Sequence, residues 1–401
     1  MSIKVELGFT ESGASAPFFT LDDPVLGVLD SPLGVLGGGE VLVEVTPYVR
    51  AFGITRGKSR ELDRYGSGQA RVEFNNNDRT FDPTYAASPY FGQVEPRRQI
   101  RISVDNVIQF EGTIDDWNID YNAGGNSVAT AMAFDGIANL ANLETETLTL
   151  TEATVDNQLN QVLNNINWPS SKRDLDVSTA VLAGSTVNDG TNALGLLQLM
   201  TDSEPGDLFV SKTGNVKFVG RNQSFRTGDV ILSDDGTAIS YTAVKVIFGS
   251  ELLFNAWTVE NLTNQILVKS DSSIGLYGER DATRNTLLKN TSDLQTLGDF
   301  LLTRYDAPEY RFESLSVNLK LVSPADRADL LDLELGDVVR VDFTPSGIPP
   351  TIERYGKVIR LGNSFADNQE IMDIGLEAVA GALLILDDPE FGKLDVALLG
   401  W

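Results

Sequence analysis

The chain has 401 residues, 42% of them hydrophobic, with 57 Asp and Glu against 31 Lys and Arg, and a net charge of −26. It contains neither cysteine nor histidine, which excludes disulfides, thiolate metal sites, cysteine nucleophiles, the Ser-His-Asp triad and the commonest general base. So acidic a chain repels nucleic-acid phosphates, leaving two readings of the charge: solubility, or the lining of a passage through which a polyanion slides.

The length predicts two or three domains. No apolar run approaches the ~18 residues of a membrane span, and MSIKVELGFTES lacks the basic-then-apolar pattern of a signal peptide. A soluble protein made in the cytoplasm, without membrane insertion, is expected.

Residues 1–40 are rich in Gly, Pro and Asp without clear periodicity and read as an extended arm. The arm contains LDDPVLGVLD, and a near copy, LDDPEFGKLD, occurs close to the other end. Leu21, Asp22, Asp23, Pro24, Gly27, Leu29 and Asp30 recur in register as Leu386, Asp387, Asp388, Pro389, Gly392, Leu394 and Asp395. The repeat reads either as a turn-and-cap element tucked against the nearest domain or as a partner-docking peptide. In the second reading the terminal Trp401 joins it, and apolar residues with acidic flanks suit a groove or an open sheet edge.

Residues 41–138 read as a first β domain. Ala70, Val72 and Phe74 alternate with polar residues, as do Ile100, Ile102 and Val104 before a turn at Asp105-Asn106. Trp117, Ile119 and Tyr121 follow, then a turn at AGGN and the run Val128, Met132, Phe134. Period-two alternation punctuated by Gly, Asn and Asp predicts an antiparallel sheet or barrel with one buried face. Within this domain NNNDRTFDP (Asn75 to Pro83) is rich in oxygen ligands but lacks the EF-hand spacing, so a structural turn is expected there rather than a calcium site. Asp115 and Asp116, adjacent on a strand, are expected on opposite faces and therefore form no catalytic couple. The basic run RGKSRELDR (Arg56 to Arg64) is expected to contact an acidic neighbouring subunit.

Residues 139–235 read as a small α+β domain. Val155, Leu159, Val162, Leu163 and Ile166 form a helical stripe stopped before Pro169, NALGLLQLMTDSE forms a second helix ended by Pro205-Gly206, and DLFV and VKFVG flank a hairpin turn. Residues 236–380 return to the β pattern with Trp257 and Val259, then Leu315, Val317, Leu319 and Leu321, then Val339, Val341 and Phe343, then Met372, Ile374 and Leu376. One helix interrupts, with Ser292 as N-cap and Leu294, Leu297, Leu301 and Tyr305 on one face. Residues 381–401 form a C-terminal arm. The fold class is thus mainly β: two antiparallel β-barrel domains separated by a small α+β domain, with extended terminal arms. Strand, turn, strand, loop and strand recur in order from EPRRQIRISV and from ELGDVVRVDF, as an internal duplication would give.

Three motifs in the first domain carry a resemblance: R-G-K-S-x-E-L-D-R (Arg56 to Arg64), F-N-N-x-D-R-x-F-D-P (Phe74 to Pro83) and S-P-Y-F-G-x-V-x-P-R-R (Ser88 to Arg98). N-W-P-S (Asn167 to Ser170), L-Q-L-M-T-D-S-E (Leu197 to Glu204) and G-S-E-L-L-F-N (Gly249 to Asn255) extend it over residues 40 to 380. In these the chain resembles the minor tail proteins, specifically the tail-hub proteins, of long-tailed, siphovirus-like phages of actinobacteria, and through them the trimeric baseplate hub of tailed phages. The resemblance implies two tube-type barrels per subunit, so that a homotrimer presents six barrels to a sixfold tail tube. It implies a structural protein at the virion tail tip, with no catalytic residue, metal or cofactor. The implied partners are the chain itself, the tail tube or distal tail protein, downstream tip or receptor-binding minor tail proteins, the tape-measure protein, and DNA only in transit. Two alternatives stay open: a distal tail ring or receptor-binding tip protein with a carbohydrate-binding module, and a carboxylate-based cell-wall glycosidase.

Overall fold

The computed structural model describes residues 2–10, 40–220, 227–366 and 369–379; both decapeptides and Trp401 lie outside the described residues. The described residues are mainly β, 44% in strands and 20% in helices, and the chain divides into two units.

The first unit comprises the chain up to Ile54, Gln69–Asp135 and a short stretch from Ser364. Its strands are β1 (Ile3–Thr10), β2 (Glu40–Glu44), β3 (Val49–Gly57, whose last residues belong to the other unit), β4 (Gln69–Asn75), β5 (Gln99–Val104), β6 (Val107–Asp120) and β7 (Val128–Phe134). They lie in the order β3-β4-β7-β6-β5-β1-β2. Strand β1 falls in the stretch read as an arm. Ile3, Val5, Leu7 and Phe9 alternate with Lys4, Glu6 and Gly8, and Val5 pairs opposite Ile102 in an antiparallel ladder. The period-two signal was present but ends at Thr10, where a long Gly- and Pro-rich stretch masks it.

The buried face of β7 also differs from expectation. Ala129, Ala131 and Ala133 point into the core, and Val128, Met132 and Phe134 are only half-buried. Register explains this: Phe74 lies opposite Ala129 and Val72 opposite Ala131, so the small side chains make room for the large ones across the ladder. Asp115 and Asp116 do not take opposite faces either. The pairing of β6 with β7 shifts between Ile114 and Asp116, and this bulge leaves both carboxylates exposed.

The second unit comprises Thr55–Gly68, Gly136–Asn363 and the chain from Gln369. Its main sheet uses, in chain order, Thr227–Ser233, Ile239–Ser240, Ala243–Phe248, Tyr310–Asn318, Val338–Phe343, Ile352–Ala366 and Gln369–Ala378. Ranked by chain order, the strands lie 3-4-7-6-5-1-2, the order found in the first unit. The direction of the first strand differs between the two sheets. Thr227–Ser233 runs parallel to both Val338–Phe343 and Ile239–Ser240, with Leu232 opposite Val341 and Ile239, whereas β1 runs antiparallel to both β5 and β2.

Trp257 and Val259, expected in this sheet, belong instead to a separate three-stranded sheet of Ala256–Glu260, Gln265–Lys269 and Asp281–Asn285. The helix Thr291–Tyr305 covers it, burying Leu294, Leu297, Leu301 and Tyr305. Its N-cap is Asn290, two residues ahead of Ser292. The helices Val155–Asn165 and Ala193–Asp202 pack together, the second capped by Asn192 Oδ1, which accepts from the Gly195 N–H at 2.8 Å.

Candidate functional site: a buried charge network

The run RGKSRELDR faces outward only in part: Arg56, Lys58 and Glu61 turn into the second unit, while Arg60, Asp63 and Arg64 stay exposed. The Arg56 guanidinium is buried, 2.6 Å from Glu334 Oε1, and donates to the Val210 carbonyl at 3.0 Å. Lys58 Nζ lies 3.4 Å from Asp207 and 3.2 Å from Glu377, donates to the Glu61 carbonyl at 2.9 Å, and sits 4.9 Å from the centre of the Tyr65 ring. Lys357 completes the group at 2.7 Å from Asp207 and 2.5 Å from Glu377, so two ammonium groups and two carboxylates alternate. The Glu61 carboxylate takes Arg304 at 2.6 Å, the Tyr305 hydroxyl at 3.2 Å and Arg311 at 3.7 Å. Arg64 and Arg284 flank Asp202 at 2.5 and 3.3 Å. Within the run Arg60 is 68% exposed in its side chain, paired with Glu251 at 2.9 Å.

Gly57 makes this loop possible. Its φ is +114°, and a Cβ there would lie 2.1 Å from the Ile359 carbonyl oxygen, which accepts from the Lys58 N–H at 2.9 Å. Gly57→Ala is expected to cost about 3 kcal/mol, since strain and displacement of that backbone add; a fall in the urea midpoint with an unchanged m-value would show it.

The electrostatics follow from burial and pairing. Burial alone would lower the Lys357 ammonium, but Asp207 and Glu377 outweigh it and raise it above its ordinary value. Burial alone would raise Asp207, but Lys357 and then Lys58 hold it below the usual carboxylate range. Burial pushes Glu61 up, against the pull of Arg304. It pushes the Tyr65 and Tyr305 phenols up too, with Asp207 and Glu61 respectively adding to the effect. A cavity of about 160 Å³ beside the network is lined by Lys58, Arg64, Tyr65, Asp202 and Arg304. Asp202, Asp207, Glu61 and Glu377 each hold a cation, so the arrangement works as a staple: it ties loop 55–68 to the α+β segment, to the covering helix and to the main sheet of its unit.

The polar loop NNNDRTFDP forms a turn that spends its oxygens on its own chain. Asn76 Oδ1 accepts from the Phe81 N–H at 2.9 Å, Asn77 Oδ1 from Ser127 N–H at 2.8 Å, and Asp82 Oδ1 from the Thr84 N–H at 2.8 Å and hydroxyl at 2.7 Å. Arg79 lies 2.6 Å from Asp82, and Arg50 bridges Asn75 and Asn126 at 2.8 and 2.6 Å. Burial would raise the Asp82 carboxyl, but the bonds from Thr84, Tyr121 and Arg79 hold it well below its ordinary value. The turn delivers Phe81 into a ring cluster, 4.6 Å from Phe74, 5.4 Å from Tyr48, 5.7 Å from Tyr90 and 5.8 Å from Trp117. The motif residues Phe74, Phe81 and Tyr90 are therefore packing residues. Asp234 and Asp235 close a turn, Asp234 accepting from the Thr344 N–H at 2.7 Å and Asp235 from the Thr237 N–H at 2.9 Å.

No helix of the described residues is long and apolar enough to cross a membrane. No family model matches the chain, and no curated protein matches it in sequence. Solved structures do match. The chain superposes on a tail protein from Neisseria meningitidis MC58 with a TM-score of 0.61 at 12% identity, covering 94% of this chain and 96% of that one. It superposes on the 43 kDa tail protein of prophage MuSo2 from Shewanella oneidensis with a TM-score of 0.58 at 12% identity, covering 94% and 98%. An E. coli type VI secretion system component, described as similar to the bacteriophage T4 tail proteins gp27 and gp5, gives a TM-score of 0.51 at 8% identity over 83% and 74%. Along nearly its whole length, the chain has the fold of phage tail proteins.

Proposed function

We propose that the chain is a structural minor tail protein of a phage virion and serves as its tail hub. In this reading it forms a homotrimer at the tail tip, joins the sixfold tail tube or distal tail ring to a threefold tip, and surrounds an acidic channel for DNA. The observation that carries the reading is the repeated strand order, 3-4-7-6-5-1-2 in each unit. Two sheets of one strand order in a single chain give a trimer six pseudo-equivalent sheets, which is how a threefold assembly can meet a sixfold one. Two further features support it. The fold is shared with tail proteins over 94% of the chain, and the net charge of −26 suits a wall along which phosphates must not stick. The division into a first β domain, a small α+β domain and a second β domain is proposed in the same sense, with β1 belonging to the first and the strand Thr227–Ser233 to the second, and residues 256–305 forming an inserted sheet and helix within the last.

The neighbours proposed are the tube or distal tail protein on one side, and tip or receptor-binding proteins and the tape-measure protein on the other. The network of paired carboxylates gives the reading no chemistry to perform. Light scattering on the purified chain is expected to give a particle of three times 43.5 kDa; a sixfold particle would support the distal-ring reading instead.

A further inference from the structure

The two sheets share more than strand order; one junction matches bond for bond. In the first sheet the Arg97 N–H bonds the Ile114 carbonyl at 2.7 Å, and the Ile114 N–H bonds the Arg98 carbonyl at 2.8 Å. In the second the Gly336 N–H bonds the Val358 carbonyl at 2.8 Å, and the Val358 N–H bonds the Asp337 carbonyl at 2.7 Å. Arg97 and Gly336 both have positive φ, +69° and +94°. Beyond the junction Ile100 lies opposite Gly112 as Val339 lies opposite Gly356. The neighbouring ladder agrees: Val72 faces Ala131 and Phe74 faces Ala129, as Leu315 faces Ile374 and Val317 faces Met372. Ile114 and Val358 are thus counterparts, and so are the residues that follow them, Asp115 and Ile359. On the third strands, Phe52 and Ile54 lead to Gly57 with the spacing by which Val244 and Val246 lead to Gly249, which makes Lys58 and Ser250 counterparts.

One contact of this repeat is made in the second unit. There Lys58 bonds the Ile359 carbonyl, and a Cβ on Gly57 would lie 2.7 Å from the Arg360 Cα. At Gly249, by contrast, a Cβ would meet nothing nearer among the described residues than Ile247 of its own strand, at 3.9 Å. Phe248 beside it is 69% exposed. Strand Ala243–Phe248 pairs among the described strands with Tyr310–Asn318 alone, leaving an open edge. The counterpart of the receiving strand is open as well. Pairing of β6 with β5 ends at Thr113, so Asp116–Asp120 pair among the described strands with β7 alone. Asp115, Asp116, Asn118 and Asp120 are exposed. A single chain fills one copy of the joint and leaves both halves of the other open.

We propose that Phe248–Ser250 of one copy dock on β6 of a second copy at Asp115 and Asp116, with the Ser250 N–H on the Asp115 carbonyl. The two surfaces differ, so the contact is heterologous and closes as a ring. The contact rests on the internal repeat; closure at three copies rests on the trimer reading above.

Gly249→Leu tests it. The side chain has open space in the single chain, but in the joint its Cβ would strike the Asp115 carbonyl as that of Gly57 would strike Ile359. Light scattering is expected to read one 43.5 kDa chain in place of three, with an unchanged circular dichroism spectrum. Because the chain has no cysteine, a second test is clean. Ser250→Cys combined with Asp115→Cys or with Asp116→Cys is expected to oxidise to covalent species of up to three chains. A wild-type trimer that persists in Gly249→Leu and gives no interchain disulfide with either pair would overturn the contact and leave the hub reading standing. Covalent dimers without trimers would show a twofold contact and overturn it too. Disulfides linking six chains would keep the contact and fell the trimer, and a wild type of one chain would overturn both.

Discussion

Lys357→Met is expected to lower the unfolding free energy by about 3–5 kcal/mol, because it leaves Asp207 and Glu377 buried with only Lys58 to answer two carboxylates. The loss reflects the stranded charges rather than the worth of the ion pairs. Changing Lys357 to Met together with Asp207→Asn, which leaves Lys58 facing Glu377 one to one, is therefore expected to recover part of it. The pH dependence carries a second signature. The folded pKa of Lys357 lies above its unfolded value, so its stabilisation is complete below about pH 10.4 and is lost as pH rises through the folded value. Asp207 has the opposite sense. Its folded pKa is depressed, so its stabilisation is present above about pH 3.9 and is lost as pH falls through the folded value. Glu61, raised by burial, opposes Asp207 on the acid side. The Tyr65 and Tyr305 phenols, also raised on folding, lose stabilisation in the same direction, so the Lys357 share is read as a difference between two chains. Urea denaturation of the wild type should show falling stability above about pH 10.4, and in the Lys357→Met chain that fall should be smaller. A variant as stable as the wild type at neutral pH would show that the network is not the staple described.

Phe81→Ala is expected to cost about 3–5 kcal/mol, with Phe81→Leu well below that. Phe81 is fully buried and touches four other aromatic rings. The Asn76 and Asp82 bonds shape the turn that places it. Near-ultraviolet circular dichroism should report the change directly, because Trp117 stacks on Phe81 at an interplanar angle of 18°. A signal unchanged in Phe81→Ala would count against the ring cluster as the organiser of loop 76–98.

Much of the β architecture was legible where large apolar residues alternate. Ala70, Val72 and Phe74, and Ile100, Ile102 and Val104, all face the core as their spacing required. The helical stripes of Leu159, Val162 and Leu163 and of Leu294, Leu297 and Leu301 were equally plain. Three features were hidden for physical reasons. Alanines on β7 carry little hydrophobic signal, and only the register against Phe74 reveals why they face inward. Trp257 and Val259 alternate as any strand would, and alternation does not say which sheet a strand joins. The charges of RGKSRELDR report polarity but not direction. The partners of Arg56 and Lys58, namely Asp207, Glu334 and Glu377, lie far along the chain, and only the folded unit shows that these two charges are internal. A hint was available in Gly57, whose place amid long charged side chains marks a close backbone approach.

A reconstruction of the tail tip of a virion that carries this chain tests the hub reading most directly. Three copies are predicted, their two seven-stranded sheets giving six around a channel whose wall carries carboxylates. Six copies in a single ring, or a tip from which the chain is absent, would contradict it.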